Sequence, residues 1–136
     1  MYPGMQTLRR TLYIQAAVWS VVGLALGIAP RFVLSTMFGQ SRLVEDAWIR
    51  VIGIQSFGLA LFMVMVGHRI QDSWWWSWGF TLVTSGLAAV AVLNAAFGLA
   101  SGDSRLLWWL CGGVALVFSF GLLYGLYQAS GEQPIP

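Results

Sequence analysis

The stretch Ala47–Trp78, AWIRVIGIQSFGLALFMVMVGHRIQDSWWWSW, limits what this chain can fold into more than any other. It holds an apolar run, Ala47–Gly67, then a short charged turn, then a tryptophan block of Trp74, Trp75, Trp76 and Trp78. About 20 apolar residues are needed to cross the roughly 30 Å hydrocarbon core of a bilayer. The run meets that length, and a soluble core has no use for it together with a flanking aromatic belt.

Three further runs repeat the pattern at Leu12–Ala29, Trp76–Ala100 and Leu106–Tyr127. Charge is scarce to match. Charged residues make up 9% of the 136 residues and hydrophobic residues 58%, whereas soluble domains carry about 25% charged residues. A net charge of +2, from seven arginines and five carboxylates, is too weak a basic excess for a nucleic-acid partner. No segment alternates polar and apolar residues as a β-barrel strand does. The expectation is an all-α, four-transmembrane-helix bundle with antiparallel neighbours, forming one membrane domain over 1–136. Its helices are predicted at about 12–29, 47–67, 76–100 and 106–127, with a flexible tail at 128–136. The opening MYPGMQTLRR and the run after it have the outline of a signal peptide. The run is longer than a typical h-region and Pro30 would follow the cut, so a retained first helix is expected.

Four crossings put both termini on one side of the membrane, side A. Tyr13, the tryptophan block, Tyr124 and Tyr127 fall at side A, and Trp48, Trp108 and Trp109 at the opposite side B. Trp and Tyr collect at both interfaces, so this distribution agrees with four helices. The arginine count is nearly balanced: Arg9, Arg10 and Arg69 on side A, Arg31, Arg42 and Arg105 on side B, with Arg50 close to side B. The weight of the first helix leans side A toward the cytoplasm. A short echo, VGLAL at Val22–Leu26 and FGLAL at Phe57–Leu61, is within what apolar composition produces by chance.

Polar residues inside the runs are the candidates for chemistry. Arg50 lies one turn into the second run, where its guanidinium can reach side B and pair with Glu45 or Asp46. Gln55, Asn94 and Cys111 fall in the side-B half, and with Arg50 they form a possible polar pocket. Arg50 and Gln55, however, are about 140° apart around a helix. Both amides also suit interhelical hydrogen bonding. The tryptophan block, Trp74, Trp75, Trp76 and Trp78, is denser than anchoring requires and is the possible partner surface. Gly23/Gly27, Ala91/Ala95, Gly121/Gly125, Ser56/Ala60 and Ser85/Ala89 have the spacing of small-residue helix contacts. His68 is a lone histidine at side A, and Ser20, Thr81, Thr84, Ser85 and Ser119 can bond their own backbone.

GLALGIAPRFV after the first helix, WIRVIGIQSFGLALF in the second and the Gly-Asp-Ser turn before the fourth resemble small bacterial four-helix membrane proteins of the DoxX-like kind. That resemblance implies a four-helix bundle and no particular chemistry. No acidic residue lies inside a run, as small multidrug transporters require, and one cysteine excludes a dithiol. No catalytic, cofactor-binding or metal-binding set is expected. The expected role is that of a structural or accessory subunit in a bacterial inner membrane, packing on itself or on another membrane subunit. The alternative is a small transporter or channel component with a polar path near Arg50, Gln55 and Asn94.

Overall fold

In the computed structural model, residues 2–40, 46–98 and 105–134 are described. They form α1 (Pro3–Ile28), a π-helical turn at Phe32–Met37, α2 (Ala47–His68), the short α3 (Ile70–Ser73), a 3-10 turn at Trp74–Trp76, α4 (Ser77–Phe97) and α5 (Arg105–Glu132). The molecule is a multi-pass membrane protein with four helices long and apolar enough to cross a bilayer: α1, α2, α3 continuing into α4, and α5. Hydrocarbon offers no hydrogen bonds, so a crossing chain must satisfy its backbone internally. Proline at the first turn of α1 fits, because its missing N–H would have no helical partner there. Gly98 ends α4 in the left-handed conformation at φ 60°, and its N–H bonds the Asn94 carbonyl at 2.9 Å.

The helices form a four-helix bundle in which α1 packs along α2 and α5, and α4 packs along α5. The fourth side, α2 against α4, touches near side A, where Phe62 meets Phe80 edge-on at 5.4 Å and Trp76 at 5.7 Å. Neighbours are antiparallel throughout. Both termini lie on side A, where the Gly4 N–H of α1 donates to Glu132 Oε1 of α5 at 2.9 Å.

Two kinds of packing hold this arrangement. Near side A the contact is between side chains. Met5, Leu8 and Leu12 of α1, Met63 and Val66 of α2, Ile70, Trp74, Phe80, and Leu122, Leu126 and Ala129 of α5 form one buried cluster. Toward side B the contact is between backbones. A Cβ on Gly53 would stand 2.5 Å from the Gly27 nitrogen and 2.6 Å from the Gly23 oxygen. Lipid is as apolar as leucine, so helices gain from meeting only where they approach closely, and glycine permits that. Gly112 does the same for Ala91 and Val92 of α4, and at the side-A end Gly125 does so for Leu8 of α1. The small-residue pairs of the sequence are thus largely used inside the bundle.

The element bounds differ from the sequence expectation at both ends of the chain. Helix α1 begins at Pro3 rather than near residue 12, and α5 runs to Glu132 rather than stopping at Tyr127. Polar residues in both segments resemble a flank and a tail, yet the two helix ends pack on each other. Gly4 lies against Gln128 and Ala129, and Ala129 is fully buried. The expected flexible tail at 128–136 is therefore, as far as Glu132, the last turn of α5. The expected turn at 101–104 lies outside the described residues.

Two outcomes follow. Gly53→Ala should push α1 and α2 apart and destabilise the bundle by about 1–3 kcal/mol, as overpacking against immovable backbone does. Gly27→Ala, whose Cβ would meet nothing within 4 Å, should be near neutral. Reversible unfolding of the two variants in mixed micelles compares them. Deleting 128–136 should lower the melting temperature in detergent, whereas deleting only 133–136 should leave it unchanged.

Candidate functional site

The membrane interior of the bundle contains a polar contact that the sequence did not single out. Gln15 of α1 is fully buried, and its Nε2 donates to Thr84 Oγ1 of α4 at 2.7 Å. The Thr84 hydroxyl in turn donates to the Phe80 carbonyl at 2.6 Å. The contact runs diagonally through the bundle, between the two helices that are not neighbours. Gln15 Oε1 is buried with no partner among the described residues. The available signal was register: Leu8, Leu12, Gln15 and Trp19 lie on one helical face. A helix begun near residue 12 puts Gln15 at the interface, whereas one begun at Pro3 puts it at mid-membrane. Thr84, expected only to bond its own backbone, does so and also accepts from Gln15. Ser85 Oγ and Ser119 Oγ make a second interhelical bond at 3.2 Å, joining α4 to α5.

Arg50 has a defined task. Its Nη1 donates to the Gly27 and Ile28 carbonyls at 2.9 and 3.0 Å, the open C-terminal end of α1. Its Nη2 lies 3.5 Å from Asp46 Oδ2, which also sits 3.3 Å from Arg31 Nε. A cation at a helix C-terminus is favoured by the dipole and by the unpaired carbonyls. Arg50 thus reaches side B as expected, and Asp46 is its carboxylate. Glu45, the other expected partner, lies outside the described residues.

Gln55, Asn94 and Cys111 are placed differently from Arg50. The buried side-chain core reaches Ala16 on α1 and Ala60 on α2, and the partly buried Trp19 and Leu59 pack against it farther toward side B. Beyond it, Gly23 and Gly53 close α1 on α2, while Ala91, Ala95 and Gly112 belong to the contact of α4 with α5. Gln55 lies about two turns before Phe62, on the side of α2 that meets Phe80. Leu87 and Asn94 follow Phe80 at intervals of about two turns, on the side of α4 that meets Phe62. Leu87 is 39% exposed. Cys111 lies about two turns before the buried Phe118 and is exposed. Of the four pocket candidates, Arg50 is turned to the end of α1. Gln55 has no hydrogen-bond partner among the described residues. Asn94 Nδ2 bonds the Val90 carbonyl of its own helix at 3.0 Å.

The tryptophan block divides in two. Trp74 is 1% exposed and belongs to the core, so it is not an outward surface. Trp75 is half-buried against that core and stacks on Trp76 with ring centres 4.8 Å apart. Trp76 and Trp78 are the outward members, 47% and 50% exposed. At the same end Arg9 Nε donates to the Tyr13 hydroxyl at 3.4 Å and its guanidinium lies over the Tyr13 ring, which packs on Gly67. His68 lines a shallow surface groove with Arg69, Ile70, Gln71 and Asp72. Among the described residues no group of three His, Cys, Asp or Glu side chains is placed to hold a metal ion.

Comparison with protein-family models, with curated proteins and with solved structures finds no match to this chain.

Interhelical hydrogen bonds in membranes contribute on average about 0.6 kcal/mol, and Gln15 leaves a buried acceptor unpaired. Gln15→Leu should therefore shift unfolding in micelles by less than about 1 kcal/mol in either direction. Gln15→Glu, which brings an ionisable group to mid-membrane, should cost several times more. A large loss with leucine would show that the amide holds something more than Thr84.

Proposed function

We propose that this membrane protein is a non-enzymatic structural or accessory subunit of a bacterial inner membrane, with its termini toward the cytoplasm. It packs on itself or on a larger membrane complex. The observation that carries this reading is the outward pair Trp76 and Trp78 on an immobilised end of the bundle. The hairpin behind them is fixed by the burial of Ile70, Trp74 and Phe80, and Trp76 is further held by stacking on Trp75 and by Phe62. Rigid aromatic side chains lose little entropy on contact and are favoured anchors of interfaces. Lipid anchoring alone needs no such support. The transporter alternative has less behind it. A path leading from Gln55 and Asn94 would have to pass Met63, Phe80 and Leu122, which are packed into one cluster. Arg50, its expected charge, is occupied by α1 and Asp46.

Native mass spectrometry after mild-detergent extraction tests the subunit reading. The wild-type chain should emerge as a homo-oligomer or with a stoichiometric partner. The Trp78→Leu variant, which leaves the Phe62–Trp76 and Trp75–Trp76 contacts in place, should reduce the assembled fraction by about tenfold or more, the effect of losing an aromatic anchor, with the monomer's melting temperature unchanged. A wild-type chain that is monomeric and alone in every mild detergent would rule the proposal out.

A further inference from the structure

The outer side of the α4–α5 pair carries a groove of about 350 Å³. Ser85, Ala88, Ala89 and Val92 of α4 line one wall, and Ser119 and Phe120 of α5 the other. Leu116, also in the lining, lies about 180° around α5 from Gly125, which meets α1, so the groove faces lipid. At its floor Ser85 Oγ donates to Ser119 Oγ at 3.2 Å. Two hydroxyls carry two hydrogens, and this bond uses one. Thr81 and Thr84 of α4 donate to the Ser77 and Phe80 carbonyls of their own helix. Ser119 makes no such bond. It is 5% exposed and keeps a hydrogen with no acceptor among the described residues. It also stands at the midpoint of the 28-residue α5. Hydrocarbon about 15 Å thick separates it from the lipid ester groups on either side. An unsatisfied donor at that depth is costly.

We infer that a second copy of this chain docks in the groove, forming a two-fold dimer whose axis runs along the bilayer normal. The inference rests on the subunit reading above and names the partner and the face. Three features select a second copy. The first is depth. A bilayer holds both copies in one orientation, so a two-fold axis brings equivalent residues together at one level. The Ser85–Ser119 pair of each copy then offers the other an acceptor at mid-membrane, where a lipid tail has none. The second is shape. Phe120 is 68% exposed and stands at the edge of the hollow that Ala88 and Ala89 line. A two-fold contact pairs a protrusion with a hollow of the same face, so Phe120 of each copy seats against the alanines of the other. Small residues there let the backbones approach closely. The third is continuity. Trp78 lies about two turns before Ser85, on the same side of α4, and is 50% exposed. The groove thus extends the tryptophan surface into the membrane.

The test mixes two forms of the full chain in phosphatidylcholine vesicles. One carries p-benzoylphenylalanine in place of Phe120, and the other a heavy-isotope label. After irradiation, mass spectrometry should find isotopically mixed adducts joining position 120 to the segment 85–92 of the other chain. The same photo-residue in place of Ile14, 60% exposed on α1 and diagonal to α4, should give no chain-to-chain adduct. Ala89→Phe fills the hollow from its own chain at an exposed site. It should lower the adduct yield by about tenfold or more, as a clash built into an interface does, with the monomer's melting temperature unchanged. Ser85→Ala/Ser119→Ala should lower the yield by about fivefold, the worth of two interhelical hydrogen bonds. Absence of chain-to-chain adducts, adducts on lipid alone, or an equal yield from position 14 would overturn the inference. A chain recovered with a different stoichiometric partner, and giving no Phe120 adduct to a second copy, would overturn it while leaving the subunit reading in place. A chain that is monomeric throughout would overturn both.

Discussion

Burial of Trp74 holds the two halves of the molecule together. It sits in the link between α2 and α4 and belongs to a buried cluster whose members come from all four crossings. The position of that cluster matters as much as its size. Met5, Ile70, Trp74 and Ala129 lie at or beyond the level of Arg9, Arg69 and Tyr127, where the helices leave the hydrocarbon. Water is present there, and burying apolar surface is favourable in the ordinary way. Deeper in the membrane that driving force vanishes. Large side chains nevertheless carry the packing inward as far as Ala16 and Ala60, and glycine contacts carry the α1–α2 and α4–α5 packing beyond them.

The two ends of the bundle are held differently. At side A a collar of side chains spans all four helices. At side B the available contacts are pairwise: Gly53 with Gly23 and Gly27, and Gly112 with Ala91. Glycine contacts fix two backbones to each other and do nothing for a third helix. Trp19 of α1 packs against the collar one turn beyond Gln15.

The fold class was legible in the sequence because hydrocarbon permits few solutions. Four runs of membrane length with aromatic belts on both sides leave little except a helical bundle. The helix ends were not legible, for a physical reason. Pro3–Thr11 and Gln128–Glu132 are polar enough to live in water, and hydropathy alone cannot report that they fold back on each other. Gln15 was not singled out: a helix begun near residue 12 leaves it close to the interface, whereas one begun at Pro3 puts it at mid-membrane. The tryptophan block was legible as a dense aromatic set but not as two populations, since only the path of the hairpin separates Trp74 from Trp76 and Trp78. Arg50 was legible as a charge near side B. Its carbonyl partners on Gly27 and Ile28 depend on the approach of α1 to α2, which the glycines of both helices permit.

The two interhelical polar pairs carry the last step. Gln15–Thr84 and Ser85–Ser119 both bind α4, one to α1 and the other to α5. A bundle whose side-B half widened freely would break the Gln15–Thr84 contact first, because it joins the helices on the diagonal. The amide therefore opposes separation of the two helix pairs at the level where the side-chain collar ends. Its energy is small, about 0.6 kcal/mol for a contact of this kind, so it sets the register of the pairs more than it holds them together. Cohesion belongs to the collar around Trp74, and alignment to the amide.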